Sequence, residues 1–132
     1  MSPELRRTIQ TEMDARRVVL ESTRYSRDTG FDETPSRMIA TAVSELARNI
    51  LKFARTGEIR MRQIRGPSGR GIEIEAVDRG PGIADVEEAM RDHVSSAGTL
   101  GLGLPGVRRM MDEFSLESTL GEGTRVKVVK WM

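Results

Sequence analysis

The chain has 132 residues, 21 basic against 20 acidic side chains, no cysteine and a single histidine. That length suits one domain around one core, and the near-neutral charge argues against a nucleic-acid binder, which needs a basic face. The missing cysteines exclude disulfides, thiolate–zinc sites and thiol catalysis, and His93 alone cannot build a histidine metal cluster or complete a triad.

No apolar run approaches the roughly 20 residues of a membrane span, and the opening segment lacks the apolar centre of a signal peptide. A cytoplasmic location with no membrane partner is the expectation. Arg6, Arg7, Arg16, Arg17, Arg24 and Arg27 crowd the first third, but Glu4, Glu12, Asp14, Glu21 and Asp28 interleave with them, as on a solvated helix face.

Leu5 to Thr11 alternates as a short strand, with Leu5, Arg7 and Ile9 on one side. Thr11 and Asp14 have capping-box spacing, which predicts a helix from Asp14 to about Asp28, ended by Gly30. Thr34-Pro35 predicts the start of a second helix, running to about Ala54 and stopping at Thr56-Gly57. Glu58 to Ile64 is a strand with Ile64 out of phase, and Arg65 to Gly71 forms a polar hairpin loop. Ile72, Ile74 and Ala76 then alternate with Glu73 and Glu75, in a strand that delivers Asp78 at its end. Asp85 to Asp92 is a short helical stretch, and a further helix runs from Pro105 to about Glu113. Phe114 to Thr119 and Thr124 to Lys130 are closing strands joined by Leu120-Gly121-Glu122-Gly123. This order predicts a single α+β domain over residues 1–132, with helices on one face of a mainly antiparallel sheet.

Three segments carry candidate chemistry. On the second helix, Ile39, Val43, Leu46, Ile50 and Phe53 share the core face, while Glu45, Asn49 and Lys52 form a stripe along its edge. Such a stripe suits metal coordination or proton transfer, or is a surface ion-pair network. Asp78-Arg79-Gly80-Pro81-Gly82 follows a strand: the carboxylate can accept from an exocyclic amine beside two glycines that admit a flat ring, or it closes a tight turn on its own backbone. Gly98 to Gly106 places four glycines ahead of a helix, where backbone N–H groups and the helix end can cradle phosphate. It matches neither the Walker A nor the Rossmann pattern.

In this order the segments resemble the Bergerat-fold ATPases, the histidine-kinase-like fold of type II topoisomerases, chaperone and mismatch-repair ATPases and sensor histidine kinases. Glu45-x-x-x-Asn49 is similar to the N box, Asp78-x-Gly80-x-Gly82 to the first glycine box, Gly101-x-Gly103 to the second, and Gly121-x-Gly123-Thr124 to the last. The likeness covers about Ser36 to the C terminus. Within the family, residues 41–50, 103–114 and the ending Val129-Lys130-Trp131 resemble the stressosome switch kinase of the bacterial partner-switching serine/threonine kinases.

The resemblance implies a two-layer sandwich whose sheet is mixed and mainly antiparallel, binding ATP and Mg²⁺. It implies phosphorylation of a Ser or Thr on STAS-domain scaffold and antagonist proteins, and binding of a PP2C-type phosphatase regulator. Position by position, it implies Glu45 as general base, Asn49 as Mg²⁺ ligand, and Asp78 as holder of the adenine amine. Gly80, Gly82 and Thr124 stand beside that amine, and the backbone at Gly101 and Gly103 wraps the phosphates. Ser95, Ser96 and Thr99 add hydroxyl contacts, with Ile83, Leu100, Leu102 and Leu104 as further nucleotide neighbours. Lys52, a common residue there in histidine kinases, is a phosphate contact that departs from the switch-kinase pattern. Ile83 to Leu100 corresponds to a short ATP lid. The absence of a phosphoacceptor-histidine helix pair and of a transducer-type domain points to action on a partner protein. The related anti-sigma factors, which sequester a sigma factor and phosphorylate its antagonist, are the alternative, and a nucleotide-free interaction domain is a third reading.

Overall fold

Residues 3–90 and 103–132 are described by the structure, a computed structural model. Along them the order is β1 (Leu5–Ile9), α1 (Glu12–Thr29), α2 (Glu33–Asn49), a π-helical turn (Ile50–Ala54), β2 (Gly57–Gly66), β3 (Gly69–Asp78), α3 (Val86–Ala89), α4 (Gly103–Met110), β4 (Glu113–Thr119) and β5 (Gly123–Trp131). The strands form one sheet in the order β1-β2-β3-β5-β4. Every pairing is antiparallel, so the mixed component implied by the resemblance is absent among the described residues.

Local sequence explains the helix ends. The Asp14 backbone N–H donates to Thr11 Oγ1, and Asp14 returns the bond by accepting from the Thr11 N–H, a complete capping box. These backbone donors, that of Gln10 foremost, hold the Asp14 carboxyl below its usual range. Replacing Thr11 by alanine should cost about 1 kcal/mol, read from the urea midpoint at unchanged m-value. At the other end Gly30 has φ 117, and the Phe31 N–H reaches back to the Ser26 carbonyl at 3.1 Å, closing α1 as a Schellman motif. Phe31 is buried there, which lets α2 begin one residue after Asp32. The expected start at Thr34 is therefore corrected: Asp32 is the N-cap. Pro35 falls at the third helical position, where its missing N–H would have lacked an intrahelical partner anyway.

The helices cover one face of the sheet. α1 packs on α2 and buries a stripe of small residues, Ala15, Val18, Ser22, Ser26 and Thr29. The buried hydroxyls of the last three are satisfied by carbonyls one turn back, at 2.6 to 2.8 Å. α2 contributes Ile39, Ala42, Val43, Leu46 and Ala47, and each large aliphatic fully withdrawn from water stabilises the fold by about 1.5–3 kcal/mol. From the sheet, two cross-strand rows meet them: Ile59–Ala76–Val126–Leu116 and Met61–Ile74–Val128–Phe114. Leu5, Arg7 and Ile9 share this face as expected, and Arg7 leaves the edge strand to pair with Glu21 of α1.

The opposite face carries charge. Arg6 and Arg60 pair with Glu58, Arg60 and Arg125 with Glu75, and Arg62 with Glu73. At its far end the Trp131 indole lies against Gly66 and Gly71, where a Cβ would collide with the ring, and its Nε1 donates to Glu113 at 2.6 Å. Here β2 and β3 run further than expected, leaving only Pro67 and Ser68 between them.

Three helices depart from expectation. The second does continue to Ala54, but from Ile50 it widens into a π turn. The wider turn slows the angular advance of successive side chains, so Phe53, expected in the core, is 59% exposed. α4 starts earlier than expected, at Gly103, and ends at Met110 because β4 begins at Glu113. Of the helix expected over Asp85 to Asp92, Val86–Ala89 is helical, and its last two positions lie outside the described residues.

Candidate nucleotide site

The apolar rows of the sheet end in a polar one. The register aligns Gly57, Asp78, Thr124 and Ser118 across β2, β3, β5 and β4, on the same helix-facing side as Ala76, Val126 and Leu116. β3 stops at Asp78 because glycine-rich chain follows it. The carboxylate folds onto that chain, with Oδ1 accepting from the Gly80 N–H at 2.9 Å. The tight-turn reading is thus present in the structure, and it leaves the second carboxylate oxygen for a ligand donor.

Close backbone approach holds this loop from three sides. A Cβ on Gly80 would stand 2.6 Å from Ala54 Cβ, at the end of the π turn. One on Gly82 (φ 80) would come within 2.5 Å of the Thr119 carbonyl oxygen. One on Gly123 (φ 131) would collide with the carbonyl of Asp78 itself. Two hydrogen bonds tie the loop to the β4–β5 turn, Gly121 N–H to the Pro81 carbonyl at 2.9 Å and Ile83 N–H to Ser118 Oγ at 2.7 Å. Ser118 Oγ also lies 2.9 Å from Thr124 Oγ1.

The second group of residues sits on α2. Glu45 is only 7% exposed. Its Oε2 accepts from the Gly103 N–H at 3.1 Å, at the first residue of α4, and its Oε1 lies 3.9 Å from Arg48. One turn on, at the last residue of α2, the Asn49 carboxamide is half-buried and has no hydrogen-bond partner among the described residues. Lys52 lies on the π turn, exposed, with Nζ 5.2 Å above the Phe53 ring, a cation–π contact on the surface. Ala54 then brings the end of this helix against Gly80, which links the two groups.

The fold therefore brings together Asp78, Gly80, Gly82, Ile83 and Thr124 in one cluster, and Glu45 and Gly103 with Asn49 one turn away. Leu104 places its side chain in the core, leaving its backbone for a ligand. Ser95, Ser96, Thr99, Leu100, Gly101 and Leu102, with His93, lie outside the described residues. Ser118 was missed by sequence reading. Its signal was available: it mirrors Thr124 across the hairpin turn, so pairing the closing strands would have set the two hydroxyls opposite one another.

The residues fit a nucleotide and its metal. The polar row offers acceptors beside glycines whose missing Cβ atoms keep the wall flat. No three His, Cys, Asp or Glu side chains converge as a metal cage among the described residues. A single amide oxygen from Asn49 suits Mg²⁺, which keeps most of its shell in water and phosphate oxygens.

Comparison with known proteins agrees with this fold. The family model described as the histidine kinase-like ATPase domain matches residues 9–130. The chain belongs to that family. Among its relatives, the serine/threonine-protein kinase RsbT of Bacillus subtilis (strain 168) is 44% identical over 124 residues, 94% of this chain and 93% of RsbT. The anti-sigma F factor of Thermoanaerobacter sp. (strain X514) is 36% identical over 98 residues, 71% of this chain and 68% of that protein. Of solved structures, the RsbU and RsbW domains of a Mycobacterium tuberculosis protein superpose with TM-score 0.68 at 18% identity, over 98% of this chain and 32% of that one. The mycobacterial sensor histidine kinase MprB gives 0.55 at 19% identity, over 98% and 97%. At such identities the superpositions show the histidine kinase-like ATPase fold alone. No helix among the described residues is long and apolar enough to cross a membrane.

Proposed function

We propose that the chain is an ATP- and Mg²⁺-dependent serine/threonine protein kinase that acts as a partner switch. Its substrates in this reading are STAS-domain scaffold and antagonist proteins, and its second partner is a PP2C-type phosphatase regulator. The observation that carries it is the buried Glu45 one helical turn from the Asn49 amide, in a chain 44% identical to a serine/threonine-protein kinase over nearly its whole length.

Bound Mg-ATP supplies an activated γ-phosphoryl group, and its transfer needs positioning and charge neutralisation more than covalent chemistry. Asp78 and Thr124 would hold the nucleobase edge, and the backbone at the α4 end, from Gly103, would face the phosphates. Asn49 would contribute one amide oxygen to Mg²⁺. Glu45 takes the proton of the incoming Ser or Thr hydroxyl as its oxygen bonds to phosphorus and the bond to the ADP oxygen breaks. The Gly103 N–H keeps the Glu45 carboxylate fixed at the start of α4.

The direct test is incubation with radiolabelled ATP and candidate STAS proteins, followed by mapping of the labelled residue. Label on a Ser or Thr of a STAS partner supports the reading, and no label on any partner sinks it. Asp78→Asn sets an amide N–H near the base amine, and should weaken ADP binding roughly 10–100-fold by calorimetry without changing the urea midpoint much. The anti-sigma relative favours a second reading in which the chain also sequesters a sigma factor. Co-purification with a sigma factor in place of a STAS scaffold or phosphatase would select it.

A further inference from the structure

We propose that Ser118, which lies outside the four boxes, determines base specificity by fixing the polarity of the Thr124 hydroxyl. This rests on the adenine-site reading above.

Among the described residues Ser118 Oγ has three hydrogen-bonding neighbours, and it carries a single hydrogen. The Ile83 N–H, at 2.7 Å, can only donate to it. The Gly123 carbonyl, at 3.3 Å, can only accept from it. Thr124 Oγ1, at 2.9 Å, can do either. One arrangement satisfies all three contacts: Ser118 gives its hydrogen to Gly123 and accepts from both Ile83 and Thr124. The Thr124 hydrogen is thereby turned away from the pocket, and its oxygen presents only lone pairs. Asp78, next in the same row, also presents only lone pairs.

The wall is then acceptor-only. The contrast lies at the 6-substituent: a 6-amino group meets the wall with its two N–H donors, whereas a 6-oxo group sets its lone pairs against those of Asp78 and Thr124. With Ser118 gone, the Thr124 hydroxyl is free to rotate and donate to the 6-oxo group, so the penalty against that base falls. Ser118 touches no base in this scheme and is a positioning residue.

The experiment is calorimetric measurement of ADP and IDP affinities, each with Mg²⁺, for the wild type, Ser118→Ala, Thr124→Val, Thr124→Ser and the Ser118→Ala/Thr124→Val double variant. The wild type should prefer ADP. That preference should fall about tenfold, the worth of one hydrogen bond to a base edge, in both Ser118→Ala and Thr124→Val. It should fall no further in the double variant, and Thr124→Ser should keep it. A merely structural Ser118, needed only to hold the Ile83 N–H, would weaken both nucleotides equally and leave the ratio alone. An unchanged ratio in Ser118→Ala overturns the proposal. So does a further fall when Ser118→Ala is added to Thr124→Val. If Ser118→Ala does not fold, Thr124→Val and Thr124→Ser decide, and a wild-type ratio in Thr124→Val overturns it. Wild-type protein that binds neither ADP nor IDP would instead overturn the nucleotide-site reading itself.

Discussion

Glu45→Gln should lower the rate of phosphoryl transfer by about 10²–10⁴-fold, the range for loss of a general base, with ATP affinity nearly unchanged. The substitution is chosen because Glu45 makes a contact that glutamine can keep. An amide oxygen accepts from the Gly103 N–H as the carboxylate does, so the α4 end stays in place while the proton acceptor and the charge facing Arg48 at 3.9 Å are lost. Alanine would confuse the two roles by leaving the Gly103 donor without this partner, at a cost of about 1–3 kcal/mol, and by opening space at a site only 7% exposed. Single-turnover kinetics with a phosphoacceptor partner, alongside ADP calorimetry, separates the outcomes. A variant that binds ADP normally and transfers at the wild-type rate would remove Glu45 from the chemistry.

The second large effect is expected at Gly123, and its neighbour Gly121 provides the comparison. Both have positive φ, 131 and 80. A Cβ on Gly121 meets nothing within 4 Å, so Gly121→Ala should cost about 1–2 kcal/mol from backbone strain alone. A Cβ on Gly123 runs into the Asp78 carbonyl and would sit 2.8 Å from Arg79 Cα, all of it backbone that cannot swing aside. Gly123→Ala should therefore lose about 4 kcal/mol or more, in the tail reserved for steric failure, and its remaining folded fraction should not bind ADP. Urea denaturation of the two variants tests this, and equal losses would show that the closeness of β5 to Asp78 is unimportant.

Most of the fold was legible because its signals are local. The Thr11–Asp14 box, the αL glycine after α1 and the alternation that carries Asp78 to a strand end each depend on a few adjacent residues. The site was legible in part for the same reason, since Glu45 and Asn49 share a helix edge whatever surrounds them. What escaped depends on tertiary contact. Burial of Phe31 moved the α2 N-cap to Asp32, against the stronger-looking Thr34-Pro35 signal. The π turn broke the assumption of constant helical period, and with it the placement of Phe53. Ser118 is an ordinary serine in a strand until β4 is laid against β5.

The charged face of the sheet also bears on how fast a partner can arrive. Its arginines and glutamates neutralise one another at close range, and the whole chain carries a formal charge of only +1. Opposite charges a few ångströms apart cancel beyond about one Debye length, so this surface projects little field into solution. Diffusional encounters through it should proceed with little electrostatic steering, near the ~10⁵–10⁶ M⁻¹s⁻¹ of neutral surfaces, and stopped-flow association rates should respond weakly to ionic strength.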